Sequence, residues 1–366
     1  MGKERFPSVM TDTAKLSENT RIIADRCAGC GIRVAGVIKG ASGIVDVARA
    51  MVDGGAKMIC SSRLEQLKRC KEAGIDVPLI MIRIPMLSEV EELVKIADIS
   101  LNSEVEVLEA LNAEALRQGK KHKVILMADL GDLREGFFDH GELTAAAVPV
   151  EREMDGLVLA GIGTNLGCYG SVMPTEDKML RLAELAEEIE RSIGRELEIV
   201  SGGATSSLMG VFDGYMPAKV NMLRIGAGIL CGPLEEMKLT YGYDQMDALN
   251  DDVFTLRAEI IEIKDKASHP VGTLGVDAFG MKRTYVDRGI RKRALLAVGR
   301  ADYGETEDII PIDEGIEVIG ASGDHTIIDI EDAKKTYKIG DIMEFKLHYS
   351  AIMRLTGSEN VKHVIK

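Results

Sequence analysis

The sequence predicts an α/β protein: a (β/α)8 TIM-type barrel followed by a mostly β C-terminal domain. Between residues 33 and about 226, short aliphatic runs alternate with longer amphipathic stretches, the pattern of repeated strand–helix units. We count eight such runs, the number that the barrel requires. From about Asp252 the sequence changes to strand-like alternation with few helical periods. A chain of 366 residues has room for two domains, which we predict at 1–240 and 241–366.

The predicted barrel strands are mostly continuous apolar runs, as expected for parallel strands covered on both faces. They lie at 33–38, 57–61, 78–84, 97–101, 123–130, 156–162, 197–203 and 221–226. Helical periodicity marks 88–97, 103–118 and 175–194 between them, and the last stretch opens with the capping residue Thr175 and closes at Gly194. An open doubly wound sheet would give the same alternation. Its dinucleotide-binding form needs GxGxxG directly after the first strand, and VIKGASGIVD lacks that spacing.

The flanking segments complete the predicted architecture. Residues 4–27 supply an extra strand and then a helix, and this early strand could pair with the C-terminal sheet. Strand-like alternation in the C-terminal domain marks 253–265, 292–299, 315–322, 325–332 and 341–350. In the predicted division of the chain, this first strand is an N-terminal extension of the barrel domain at 1–240.

Composition excludes several classes of function. The formal net charge of −14 and the pI near 5.1 argue against nucleic acid as a partner, because the phosphate backbone would be repelled. No apolar run is long enough to span a bilayer and the first ten residues lack a signal-peptide core, so we predict no membrane association and a cytoplasmic location. Six cysteines are too few for a disulfide scaffold. The CxxC of Cys27 and Cys30 lacks the second pair that a zinc site needs, so we predict no metal.

Lys39 is the first candidate for chemistry. It follows the first barrel strand in VAGVIKG, at the end of the barrel where enzymes of this fold keep their active sites. Its aliphatic neighbours would lower the pKa of the amine by desolvation and favour Schiff-base chemistry. The alternative is a lysine that closes a strand and extends to solvent.

Two later strand ends predict a phosphate-binding site. Strand seven runs into SGGATSSL, which offers hydroxyl groups and backbone N–H groups, and strand eight runs into Gly226 and Ala227. Loops after strands seven and eight hold a phosphate in many enzymes of this fold. Each loop alone is an ordinary turn, but the two together favour a ligand that carries a phosphate.

The order of these motifs resembles a known family. Lys39, the DLGDLREG loop with Arg134, the SGGATSS turn, LRIG and a following β domain are similar to the barrel-type pyridoxal-phosphate (PLP) enzymes of the alanine racemase type. Within that family, PMLSEVEELVKIADISLNSEVE, GIGTNLGCYGSVMPTE and GIRKRALLAVGRAD resemble the ornithine racemase, or alanine/ornithine racemase-like, branch. The resemblance covers nearly the whole chain.

The resemblance implies a role for three basic residues. Lys39 would bind PLP covalently through its amine and act as one of two acid–base groups for the α-proton. Arg134 would lie near the phenolic oxygen of the cofactor. Arg224 would face the pyridine nitrogen and keep it unprotonated, because a guanidinium does not release its proton, and this favours racemisation over transamination.

Further residues are implied around the cofactor. Ser206, Gly226 and Ala227 would hold its phosphate. Asn165 stands where the larger family stacks a histidine on the ring. Tyr169 would line the substrate site, whereas we assign no role to Cys168, because a partly buried thiol is usually inert.

The second acid–base group is a departure from the family pattern. Alanine racemases place a tyrosine opposite the lysine, delivered by the β domain of the partner subunit, and the corresponding stretch HPVGTLGVDAFG has no tyrosine. We predict His325 in this role, since an imidazole exchanges protons near neutral pH, against the alternative of a structural histidine. Asp324 is predicted to bind a terminal ammonium of the substrate, or else is a turn residue. The other candidates are His269, Asp277 and Tyr285.

These residues predict a PLP-dependent racemase that interconverts L and D amino acids, with ornithine or another basic amino acid as substrate. Its sites would be shared between the subunits of a homodimer. Two alternatives are a PLP-dependent decarboxylase or lyase of the same fold and a non-catalytic PLP-binding protein. Arg224 argues against the decarboxylase, and the second domain argues against the carrier proteins, which are single barrels.

Overall fold

The computed structural model describes residues 5–233, 244–277, 280–282 and 284–366. Contacts divide the chain into two compact units: Thr13–Asn250, and the preceding residues together with Asp251–Lys366. The boundary predicted between residues 240 and 241 lies outside the described residues. No described helix combines the length and the apolar character needed to cross a membrane.

The first unit is a closed barrel of eight parallel strands in the order β2 to β9. The strands are β2 Arg33–Val37, β3 Met58–Ser61, β4 Leu79–Met81, β5 Ile99–Asn102, β6 His122–Met127, β7 Leu157–Gly163, β8 Ile199–Ser201 and β9 Met222–Ile225. The ring closes between β2 and β9, where Gly36 lies opposite Ile225. The predicted barrel fold is confirmed, and each of the eight predicted runs overlaps one strand, although β5, β6 and β7 each extend one residue beyond their predicted run.

The barrel interior is a packed hydrophobic core. Alternate residues of the strands point inward, and those that fill the interior are Ala35, Val37, Met58, Cys60, Ile80, Ile99, Leu101, Ile125, Met127, Ala160, Ile199 and Met222. Helices cover the other face of each strand. Every residue of the three strands β3, β4 and β5 is therefore buried, and these strands appear in the sequence as short, mostly apolar runs.

Helices connect the strands. They are α1 Thr13–Ala28, α2 Val45–Asp53, α3 Leu64–Glu72, α4 Val90–Ile96, α5 Val105–Arg117, α6 His140–Arg152, α7 Glu176–Ile193, α8 Leu208–Phe212 and α9 Ala227–Leu230. Helix α7 ends at Gly194, whose φ of 81° is the left-handed conformation that glycine adopts readily. Thr175 precedes α7 as predicted, but its hydroxyl donates to the Asp177 carboxylate at 2.5 Å instead of accepting a backbone N–H.

The second unit is mostly β, as predicted. Its strands are β1 Ser8–Thr11, β10 Phe254–Ala267, β11 Ile290–Leu296, β12 Ile309–Pro311, β13 Glu317–Ala321, β14 Thr326–Asp329, β15 Ile342–Leu347 and β16 Lys362–Ile365. Short helices lie at α10 Arg300–Tyr303 and α11 Tyr349–Leu355. The strand order is β12, β15, β10, β11, β14, β13. The early strand β1 pairs antiparallel with β10 and parallel with β16, which agrees with the pairing suggested by the sequence.

Candidate active site at the carboxyl end of the barrel

Lys39 lies two residues after the end of β2, in a short 3-10 turn over Lys39–Ala41. The preceding residues Val37 and Ile38 are buried. Burial, followed by the positive charge of Arg134, lowers the pKa of the Lys39 ammonium, and Arg224 adds to this effect. Cys168 and Glu135 act on the pKa of Lys39 in the opposite direction without reversing the shift. The arrangement therefore favours a neutral amine at Lys39, the form that acts as a nucleophile or a base.

Arg134 connects two loops at this end of the barrel. It lies in the loop after β6, and its guanidinium forms an ion pair with the neighbouring Glu135. Its Nη1 also donates to the Sγ of Cys168, at 2.8 Å, in the loop after β7. No role was predicted for Cys168 from the sequence. In the structure its exposed thiol lies against the Arg134 guanidinium.

The Asp132 carboxylate holds the loop that carries Cys168. This carboxylate is 1% exposed and accepts three backbone N–H groups from that loop: Tyr169 at 3.0 Å, Val172 at 3.2 Å and Cys168 at 3.4 Å. Asp132 was not among the residues predicted from the sequence. The available signal was the second carboxylate in DLGDLREG, since a buried aspartate in a strand-end loop requires donors.

Arg224 on β9 is a buried cation in the barrel. It is 4% exposed and donates to the Ser201 hydroxyl and to the Thr164 carbonyl, at 3.0 Å in the second case. Within the described residues, no carboxylate lies at ion-pair distance from it. Two neighbouring polar atoms, Thr164 Oγ1 and Asn165 Nδ2, are buried without a hydrogen-bond partner in the part of the chain that the structure describes. Unpaired buried polar atoms beside an unpaired cation indicate a place where a polar ligand binds.

The turns after β8 and β9 approach the same end of the barrel. Gly203 has a φ of 112°, and a Cβ there would lie 2.6 Å from Ser207 Oγ, so the turn requires glycine. The Ser206 hydroxyl donates to the Leu166 carbonyl at 2.8 Å, so it must rotate before it can donate to a ligand. Gly226 follows β9 directly, and Ala227 begins α9.

The structure brings some predicted residues together and leaves others apart. Lys39, Arg134, Asn165, Ser206, Arg224, Gly226 and Ala227 follow the carboxyl ends of barrel strands or lie near them. Tyr169 belongs to the loop that Asp132 holds, and its side chain is 75% exposed. His325 and Asp324 belong to the other unit, where both are exposed in the turn between β13 and β14. This turn is closed by the Ser322 N–H, which donates to the His325 carbonyl at 2.8 Å.

The remaining candidates for the second base also lie in the β unit. The rings of His269 and Tyr285 are in edge contact, with centroids 6.0 Å apart, and Asp277 accepts the N–H of Met281 at 2.9 Å. Asp277 and Tyr285 line a cavity of about 670 Å³ in this unit. Part of the stretch that lacks the family's tyrosine, residues 278 and 279, lies outside the described residues.

Comparison with known proteins identifies the family. The protein-family model for the N-terminal domain of alanine racemase matches residues 11–232 of this chain. The chain belongs to the alanine racemase family. Within it, the chain is 40% identical to an ornithine racemase of Acetoanaerobium sticklandii over 98% of this chain and 99% of that protein. It is 35% identical to a lysine racemase of Thermotoga maritima over 98% of both chains.

A solved alanine racemase has the same fold. The enzyme from the D-cycloserine-producing Streptomyces lavendulae superimposes with a TM-score of 0.78 at 18% identity, covering 99% of this chain and 98% of that chain. Identity this low supports the fold alone. The family and the fold predicted from the sequence are thus confirmed, whereas the roles of the individual residues stay predictions.

Proposed function

We propose that this alanine racemase family member is a PLP-dependent racemase of a basic amino acid, with ornithine as the first substrate to test. The observation that carries the proposal is the desolvated Lys39, grouped with Arg134 and the buried Arg224 at the carboxyl end of the barrel. The choice of a basic substrate is supported by the two full-length relatives, an ornithine racemase and a lysine racemase.

The residues present fit PLP. The cofactor has a phosphate, a polar aromatic ring and an aldehyde, and the site offers a matching group for each. Arg224 is a buried cation without a carboxylate partner among the described residues, and Asn165 has an unpaired buried amide nitrogen. Gly203 and Gly226 pack against Ser207 and Val37, so neither turn carries a side chain that would cover its backbone. In our proposal Ser206, Gly226 and Ala227 hold the phosphate, Asn165 lies by the ring and Arg134 lies by its phenolic oxygen.

When bound, the cofactor supplies an aldehyde that captures the substrate amine and a ring that stabilises negative charge at the α-carbon. Lys39 would hold the cofactor through its amine, and this amine would take or return the α-proton on one face. Its lowered pKa suits this role, because more of the amine is neutral and able to accept a proton. Arg224 keeps its own proton, so it cannot protonate the ring nitrogen, and this favours return of the α-proton over side reactions.

The opposite face requires a second acid–base group. We assign His325 of the partner subunit to it and Asp324 to the terminal ammonium of the substrate, with Tyr169 beside the substrate. The exposure of both residues in the turn between β13 and β14 is compatible with contact with a second subunit. A site that two subunits share makes the homodimer the active form. Homodimerisation and a cytoplasmic location stay predictions.

The proposed activity is tested by α-proton exchange in D₂O with the PLP-loaded protein. Single enantiomers of ornithine, lysine, alanine and serine are supplied, and the products are resolved by chirality. We expect deuterium incorporation with inversion for ornithine or lysine, its loss in Lys39→Ala, and no change in Lys68→Ala, an exposed lysine of α3. Exchange with retention would contradict a two-base racemase. Release of carbon dioxide or cleavage of the side chain would instead establish a decarboxylase or a lyase.

The shared site is tested by mixing two inactive variants, Lys39→Ala and His325→Asn. In a mixed dimer, one of the two sites would combine an intact lysine with an intact histidine. Random exchange of subunits should therefore restore up to about a quarter of wild-type activity. Wild-type activity of His325→Asn in both directions would exclude His325, and failure of the mixture despite confirmed subunit exchange would exclude sharing.

A further inference from the structure

A second cavity, of about 590 Å³, lies at the amino ends of the barrel strands. Its lining includes the first residues of five parallel strands, namely Arg33, Met58, Ile99, His122 and Ile199. Since Lys39 follows the last residue of a strand in the same closed barrel, the cavity is at the opposite end from the candidate active site. Nothing in the proposed reaction uses this end of the barrel.

The cavity is positively charged on an acidic protein. Its lining contains six basic side chains, Arg33, Lys57, Lys71, Lys120, Lys121 and Lys123. Only two carboxylates, Asp98 and Glu198, line it as well, so the six positive and two negative groups leave a local charge of +4. The whole chain carries −14. The His122 imidazole adds no charge at neutral pH, because burial lowers its pKa to about 4.

One of the six basic side chains, that of Lys123, is paired in a salt bridge. Lys123 Nζ lies 2.7 Å from the Glu198 carboxylate. The other carboxylate, that of Asp98, accepts the backbone N–H of Leu79 at 2.8 Å. Arg33 donates to the backbone carbonyl of Glu198 at 3.1 Å, which leaves its charge uncompensated. The acidic groups of the lining therefore neutralise little of the positive charge.

Two lysines are held in place by neutral acceptors. Lys71 Nζ donates to the carbonyls of Lys95 and Ile96 at 2.8 and 3.1 Å, and Lys120 Nζ donates to the carbonyl of Val94 at 3.3 Å. These carbonyls belong to the end of α4, where the helix dipole favours a cation. An ammonium has three donors, so both lysines keep at least one for a ligand. They are thus ordered around the cavity without being neutralised.

Two further lysines have their charge available. Lys57, just before β3, and Lys121, just before β6, are exposed and line the cavity. Within the described ranges, neither ammonium forms an ion pair or a side-chain hydrogen bond. Like charges gathered around one concave surface repel one another, and an anion removes that repulsion. Binding of an anion would therefore relieve the electrostatic repulsion between these lysine side chains.

We propose that this cavity binds a small polyanion, a molecule with two or more phosphate or carboxylate groups. A volume of about 590 Å³ is suited to a metabolite-sized ligand. Several ammonium donors around one concavity match several anionic oxygens better than a single charge. A nucleic acid is a poor alternative, because the net charge of −14 opposes a long phosphate backbone outside the cavity.

The test uses the PLP-loaded protein, so that the phosphate subsite at the other end of the barrel is filled. Binding of tripolyphosphate is measured by isothermal titration calorimetry at constant ionic strength, with citrate as the carboxylate probe. We expect saturable one-to-one binding of at least one probe. Binding of tripolyphosphate alone would identify a phosphate site, and binding of citrate alone a carboxylate site.

The matched comparison removes the same charge in two places. The double variant Lys57→Gln/Lys121→Gln should weaken the affinity at least tenfold, because two charge-assisted contacts are lost. Lys68→Gln/Lys338→Gln removes two exposed lysines outside the cavity and should change the affinity less than twofold. No saturable binding by either probe, or equal losses in both double variants, would overturn the proposal. Racemase activity is independent of this result, so failure here leaves the proposed function intact.

Discussion

Asp132 offers the sharpest test of how the candidate site is built. Its carboxylate is the buried acceptor for three N–H groups of the loop that presents Cys168 and Tyr169. Asp132→Asn keeps the shape of the side chain but removes its charge and turns one of its acceptors into a donor. The substitution should therefore loosen the loop without creating a cavity.

The expected loss of stability follows from the geometry. The contacts at 3.0 and 3.2 Å are full hydrogen bonds, while the one at 3.4 Å contributes little. A hydrogen bond to a charged group contributes about 1.5–3 kcal/mol, and asparagine retains one acceptor. Asp132→Asn removes one hydrogen bond to a charged acceptor and places the new amide N–H against a backbone N–H donor. Together these two changes should lower the free energy of unfolding by about 2–4 kcal/mol. For a unit of this size the midpoint of thermal unfolding should fall by about 4–16 °C.

The assay combines calorimetric unfolding with racemisation kinetics. Asp155→Asn is the matched control, since Asp155 is an exposed carboxylate that undergoes the same change of charge. Displacement of the Cys168 loop should also lower kcat/KM, by roughly tenfold to a hundredfold, because catalytic geometry tolerates little movement. An unfolding midpoint within 1 °C of the control would refute the structural role of Asp132. An unchanged kcat/KM in a destabilised variant would refute the link between this loop and the reaction.

Two further predictions concern the loops around Lys39. In the cofactor-free protein, burial and the charge of Arg134 lower the pKa of Lys39, so acetic anhydride should modify it faster at pH 8 than exposed lysines. Arg134→Gln removes a like charge and should raise that pKa, which mass spectrometry of labelled peptides would follow across pH, and a downward shift would contradict the assignment. Gly203→Ala combines a φ of 112° with a Cβ only 2.6 Å from Ser207 Oγ, whereas Gly194→Ala meets a φ of 81° in open space. Measured by denaturant unfolding, Gly203→Ala should lower the free energy of unfolding by roughly 2–4 kcal/mol and Gly194→Ala by about 1 kcal/mol. Equal losses in the two variants would show that the contact with Ser207 has no effect.

The sequence predicted the barrel better than the sheet of the other unit. Each barrel strand is an apolar run because helices cover its outer face, so the signal is strong even where β4 and β8 have only three residues. The strands β12 and β16 were missed, because three or four residues at the side of a sheet carry too little alternation to detect. The long strand β10 was found because its alternation continues through many residues.

The candidate site was predicted only in part, for a physical reason. Lys39 was predicted from its place after the first barrel strand, whereas Arg224 was predicted only from the resemblance to the family. The contact of Arg134 with Cys168 depends on two loops that meet only when the barrel closes, and no spacing in the sequence encodes it. The basic cavity was hidden in the same way, because its lysines are spread over the sequence and the net charge of −14 on the whole chain conceals a local positive excess.

The pairing of β1 has a consequence for how the protein folds during synthesis. Ser8 lies opposite Arg257 on β10 and opposite Lys362 on β16, so β1, which precedes the barrel in the chain, is completed only by strands that follow the barrel. The barrel between them can form while the chain is still growing, because its strands pair with neighbours in sequence apart from the closure between β2 and β9. Until β10 emerges, Ser8–Thr11 has an unpaired edge that can associate with other chains. Completion of the β unit, unlike assembly of the barrel, therefore has to wait until the strands that follow the barrel have been synthesised.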